Sequence, residues 1–97
     1  MLTIPQLEKI LKDKHKELAE LHVKSLSVFG SVATGKAGSD SDIDFLVEFS
    51  QPVGMFDFLE LKYFLEELLN SEIDLATQKA LHPRLKENIL KEAIRVA

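Results

Sequence analysis

A chain of 97 residues with 45% hydrophobic and 29% charged side chains suits one globular domain over residues 1–97 and excludes a disordered chain. Its formal net charge of −4 excludes the cationic surface that sequence-independent nucleic-acid binding requires. It has no cysteine, hence no disulfide or thiolate metal site, no cationic-then-apolar leader, and no apolar run near the roughly 20 residues of a membrane helix. A cytoplasmic protein is expected.

The first element is a helix. Thr3 can cap it, Gln6 stands three residues on as in a capping box, and Pro5 lies in the first turn, where its missing N–H costs nothing. Leu7, Ile10, Leu11, Leu18 and Leu21 then share one face, which carries the helix to about residue 21. His15 and His22 belong to its solvated side and end. Residues 25–29 (SLSVF) read as a strand, ended by Gly30 and Ser31. A short helical turn over 31–35 and an exposed loop over 36–41 follow.

Residues 42–49 form the clearest strand. Ile43, Phe45, Val47 and Phe49 alternate with Asp42, Asp44, Leu46 and Glu48, so the apolar set faces the core and both aspartates face away from it. After a turn at 52–54, a helix over 55–70 carries Phe58, Leu61, Phe64 or Leu65, Leu68 and Leu69 at helical spacing. Tyr63 is read as packing or helix surface. Residues 72–77 (EIDLAT) are a third strand, with Asp74 opposite in face to Ile73 and Leu75. The spacing of Leu85, Ile89, Leu90, Ala93 and Ile94 predicts a last helix over 83–96, with His82 exposed at its start. The expected fold is α+β: a small mixed sheet of three or four strands with helices packed on one face. Its other face stays open and carries Asp42, Asp44 and Asp74.

Three carboxylates on one sheet face repel unless a cation sits among them. Two of them at i and i+2 lie about 6–7 Å apart along the strand and can reach one hard cation or bridge two. Mg²⁺ takes carboxylate and phosphate oxygens and keeps several waters, so it needs few protein ligands. Asp57 and Glu72 are poorer third ligands, being placed at a helix start and a strand start. Gly30 lets a phosphate approach the backbone, and Ser31 adds N–H and hydroxyl donors at the start of a helical turn. Lys36, Arg84 and Lys86 are candidates for added positive charge.

Gly30-Ser31, ten residues, then Asp42-Ile43-Asp44 resembles the G-S-x10-D-x-D signature of the polymerase-β-like nucleotidyltransferase superfamily, and Asp74 matches its third aspartate on a later strand. The short chain, the run from Ser41 to Val47 and the ending from Leu81 to Ile94 look most like the minimal nucleotidyltransferases, the MNT or MntA-like antitoxins. The resemblance implies transfer of AMP from ATP, with two Mg²⁺ ions, to a hydroxyl of an all-helical HEPN toxin. Asp42, Asp44 and Asp74 would be the catalytic metal ligands, and Gly30, Ser31 and Lys36 would hold the nucleotide. Many members carry arginine at one or both of the positions held here by Val32 and Thr34. Two other readings stay open: silencing the toxin by complex formation without catalysis, and modification of a small molecule of the aminoglycoside type. The base, the acceptor hydroxyl and the number of AMP units are not encoded in any recognisable segment.

Overall fold

A computed structural model describes residues 3–30 and 43–97 of the chain. The elements are α1 (Ile4–Asp13), α2 (His15–Glu20), β1 (Val23–Phe29), β2 (Ile43–Phe49), α3 (Met55–Leu69), β3 (Ile73–Thr77), a 3₁₀ turn (Gln78–Ala80), α4 (Pro83–Glu92) and β4 (Ile94–Arg95). The expected turn over 31–35 and loop over 36–41 lie outside the described residues.

The N-terminal cap forms as its sequence dictates. The Gln6 amide N–H donates to Thr3 Oγ1 at 3.3 Å, and the Thr3 N–H donates back to Gln6 Oε1 at 2.9 Å. The single helix expected to residue 21 is two helices. Lys14 leaves helical geometry, with φ −110° and ψ 17°. The break falls where the apolar stripe 7, 11, 14, 18, 21 is interrupted by that lysine. Leu7, Leu11 and Leu18 are buried on either side of it.

The sheet has four strands in the order β3-β2-β1-β4. β1 pairs antiparallel with both β2 and β4, whereas β2 pairs parallel with β3 through the α3 crossover. Ile43, Phe45 and Val47 from β2, Leu26 and Val28 from β1, and Ile73 and Leu75 from β3 join one core with Leu7, Leu11 and Leu18 and with Leu61, Leu65 and Leu69 of α3. Each large side chain buried in this way contributes about 1.5–3 kcal/mol. The α3 helix begins at Gly54, whose N–H donates to Asp57 Oδ2 at 3.3 Å, and stops at Asn70 in a left-handed conformation with φ 48°. Helices α1–α3 therefore cover one face of the sheet.

The C-terminal element departs from expectation. The last helix ends at Glu92 rather than near residue 96, and Ile94 and Arg95 pair with Val28 and Ser27 as the fourth strand. None of the helix's residues is buried, and Leu85 and Leu90 remain 55% and 37% exposed. Hydrogen-bond competition explains the ending. The edge of β1 offers unpaired backbone groups, and the stretch Ile94-Arg95-Val96, with two β-branched residues, takes them up, the Val96 N–H donating to Leu26 O at 2.9 Å.

Candidate active site

Alternation along the strands sets which side chains share the face turned away from the core. On β2 these are Asp44, Leu46 and Glu48; on β1 they are Ser25, Ser27 and Phe29; on β3 they are Asp74 and Ala76. The parallel register places Asp44 directly beside Asp74. Strands in a ladder lie about 4.8 Å apart, so the two carboxylates stand at one level on neighbouring strands. Asp44 is half-buried and Asp74 is exposed.

On the other flank of Asp44 the antiparallel register brings Phe29, and Gly30 follows it at the end of β1. Gly30 has φ +70°, the left-handed region that favours glycine. Its missing side chain matters for a second reason. A Cβ built there would overlap Asp44 Oδ2 and lie 3.3 Å from Asp44 Cγ. The carboxylate thus occupies the space that any other residue at position 30 would fill. One glycine both turns the chain and seats an acidic side chain.

Of the residues expected to form the site, the structure brings together Gly30, Asp44 and Asp74. Asp42, Ser31 and Lys36 lie outside the described residues. Among the described residues no group of three or more His, Asp or Glu side chains could hold a metal, so the described part of the site is the Asp44–Asp74 pair. Its chemistry suits a hard divalent cation: two adjacent oxygen donors of like charge, on a face that leaves room for water and phosphate as further ligands. Asp57 is engaged at the start of α3, as its position in the sequence suggests.

A groove of about 960 Å³ opens on the same face, further along the strands from the acidic pair. Ser27 and Leu46 lie on its floor, Leu90 and Ala93 of the α4 end border it, and Gln78, Lys79 and Arg95 reach it from the 3₁₀ turn and β4. Arg84 and Lys86, considered as cations from sequence, do not line it. Lys79 and Arg95 were not among the expected cations: Lys79 sits in the turn after β3, and Arg95 falls in a stretch whose spacing predicts helix rather than strand. The β-branched ending of the chain was the signal that could have revealed it.

A four-stranded mixed sheet with α1–α3 on one face, and on the other a carboxylate pair seated by a strand-ending glycine, defines a nucleotidyltransferase. The chain belongs to the nucleotidyltransferase domain family, whose model matches residues 4–96. It is 38% identical over 97 residues to the protein adenylyltransferase MntA of Thermococcus cleftensis, covering 99% of this chain and 98% of that one. Among solved structures it is similar to one provisionally described as a minimal nucleotidyltransferase, with a TM-score of 0.80, 36% identity, and coverage of 96% and 95% of the two chains. The fold also recurs in the complex of a tri-AMPylated Shewanella oneidensis HEPN toxin with an MNT antitoxin. There the TM-score is 0.66 at 18% identity, with coverage of 94% of this chain and 71% of that one. No helix among the described residues is long and apolar enough to cross a membrane.

Proposed function

We propose that this chain is an Mg²⁺-dependent protein adenylyltransferase, transferring AMP from ATP to a hydroxyl of a HEPN-type helical toxin and so acting as its antitoxin. The observation that carries the reading is the in-register pairing of Asp44 and Asp74 beside Gly30. The name of the Thermococcus relative supports the reaction, and the AMP-bearing HEPN toxin in a complex of the same fold supports the acceptor.

The carboxylates of Asp44 and Asp74, with that of Asp42, are the residues that would hold the metal. Bound Mg²⁺ would neutralise the triphosphate and lower the pKa of the attacking hydroxyl. The acceptor oxygen attacks the α-phosphorus, a new P–O bond forms, and the bond from that phosphorus to the α,β-bridging oxygen breaks. Pyrophosphate leaves with the bonding pair. Asp74, the more exposed carboxylate, is placed to help take the hydroxyl proton. Gly30 admits the phosphates to the backbone, with Ser31 and Lys36 supplying donors and charge.

The test uses labelled ATP, Mg²⁺ and a candidate HEPN partner. Wild type is expected to label the partner, and Asp42→Asn, Asp44→Asn protein is expected to lose the label. Equal, background labelling by both proteins would sink the enzymatic reading.

A further inference from the structure

Two helix surfaces of this chain are exposed and partly apolar, and they carry opposite charge. We infer that they are the two halves of one contact, through which the chain associates with a second copy of itself. The inference is independent of the reading of the acidic pair.

The first surface is the outer side of α3. Phe56, Glu60, Tyr63 and Glu67 recur at the spacing of one helix face. All four are exposed, Phe56 at 89% and Tyr63 at 59%. The opposite side of the same helix, with Leu61, Leu65 and Leu69, packs the core. Aromatic side chains on an outward stripe are the anchors that protein interfaces bury. The glutamates among them make the stripe acidic.

The second surface is α4. A helix of ten residues is marginal alone, since roughly 12–15 are needed for one to persist in water, and in proteins most helical stability comes from packing an apolar face. Yet no residue of α4 is buried. Leu85, Lys86, Ile89 and Leu90 share one side of it, and both leucines are exposed. Lys86 stands within this apolar arc, and Lys79 and Arg95 line the groove that Leu90 and Ala93 border. A covering surface for this helix has to be apolar at its centre and acidic around it.

The chain itself supplies such a surface. Residues 78–97 carry five Lys and Arg against two Glu, a local balance of +3, whereas residues 1–77 carry seven against fourteen Asp and Glu, a balance of −7. A basic end on an acidic body draws two copies together end to body. The α3 stripe complements the α4 side in both respects. Aliphatic side chains meet Phe56 and Tyr63, and the cations meet Glu60 and Glu67 or the faces of the aromatic rings. Because α3 packs on the sheet face opposite Asp44 and Asp74, a copy docked there leaves those carboxylates open.

Sedimentation of the whole chain tests this. The average mass should rise above that of the monomer between micromolar and submillimolar concentration, and fall back as salt is added. Phe56→Ala, at a position outside the core, should weaken association about tenfold or more. Lys79→Glu, Lys86→Glu protein and Glu60→Lys, Glu67→Lys protein should each stay monomeric alone and associate when mixed, since each keeps the patch that the other has reversed. The second pair of changes brings the formal net charge from −4 to zero, so its loss of association comes from the patch and not from repulsion between whole molecules. Amide exchange in α4 should slow with protein concentration in wild type and not in Phe56→Ala. Melting curves confirm that the variants fold. The inference is overturned if wild type stays monomeric throughout, or if it associates and the charge variants and Phe56→Ala associate equally well. Slower exchange in α4 only on addition of a helical acceptor protein, without self-association, would also overturn it and assign the face to that acceptor.

Discussion

Gly30→Ala isolates the contact on which the site is built. Two costs add. A residue with a Cβ held at φ +70° loses about 1–2 kcal/mol relative to glycine. The new methyl also overlaps Asp44 Oδ2 and crowds Cγ, so the carboxylate must leave its rotamer, at a further cost of about 0.5–1.5 kcal/mol. The sum, about 1.5–3.5 kcal/mol, leaves a domain of ordinary stability folded but lowers its melting temperature by roughly 6–28 °C. The two costs separate in a double-mutant cycle. Asp44→Ala removes Oδ2 and Cγ and keeps Cβ, which lies at an ordinary 3.6 Å from the position the new methyl takes. In that background Gly30→Ala should cost only the backbone part, so a coupling of about 0.5–1.5 kcal/mol is expected between the two sites. Denaturant unfolding of the four proteins measures it. The same displacement should slow AMP transfer about a hundredfold, because a carboxylate moved by an ångström no longer holds its ligand in reacting geometry. Equal costs of Gly30→Ala in both backgrounds would refute the idea that glycine seats Asp44.

Two further predictions concern the scaffold. Leu65→Ala, at a fully buried position of α3, should cost about 2–5 kcal/mol in urea unfolding through lost burial and the cavity left behind. Thr3→Ala removes the hydroxyl acceptor of the capping box and should cost about 1 kcal/mol, read as loss of stability with no change in ATP affinity.

Local patterns carried most of the fold. The capping box at Thr3 and Gln6, the alternation from Ile43 to Phe49 and the leucine spacing of α3 each express a short-range rule, and each element formed where its rule placed it. Two readings failed. The first helix breaks at Lys14, where a lysine interrupts its apolar stripe. Ile94 and Arg95 join the sheet rather than a helix because β1, far earlier in the chain, offers an open edge. Helical spacing of Leu85, Ile89 and Leu90 predicts a helix, and one forms, but spacing describes which residues share a face and not whether anything covers that face.

The acidic stretch shows the same division. Alternation was enough to single out a face carrying Asp42, Asp44 and Asp74, because the period of a strand is a local property; what the spacing from Gly30 to Asp44 implies about its chemistry came from the resemblance it carries. Strand order and register were not local. Only the folded sheet sets Asp44 level with Asp74, brings the bare Cα of Gly30 against the Asp44 carboxylate, and opens the groove between β1 and the end of α4. Those placements depend on which strands pair and in what register, and that is decided by burial of the common core rather than by any one segment.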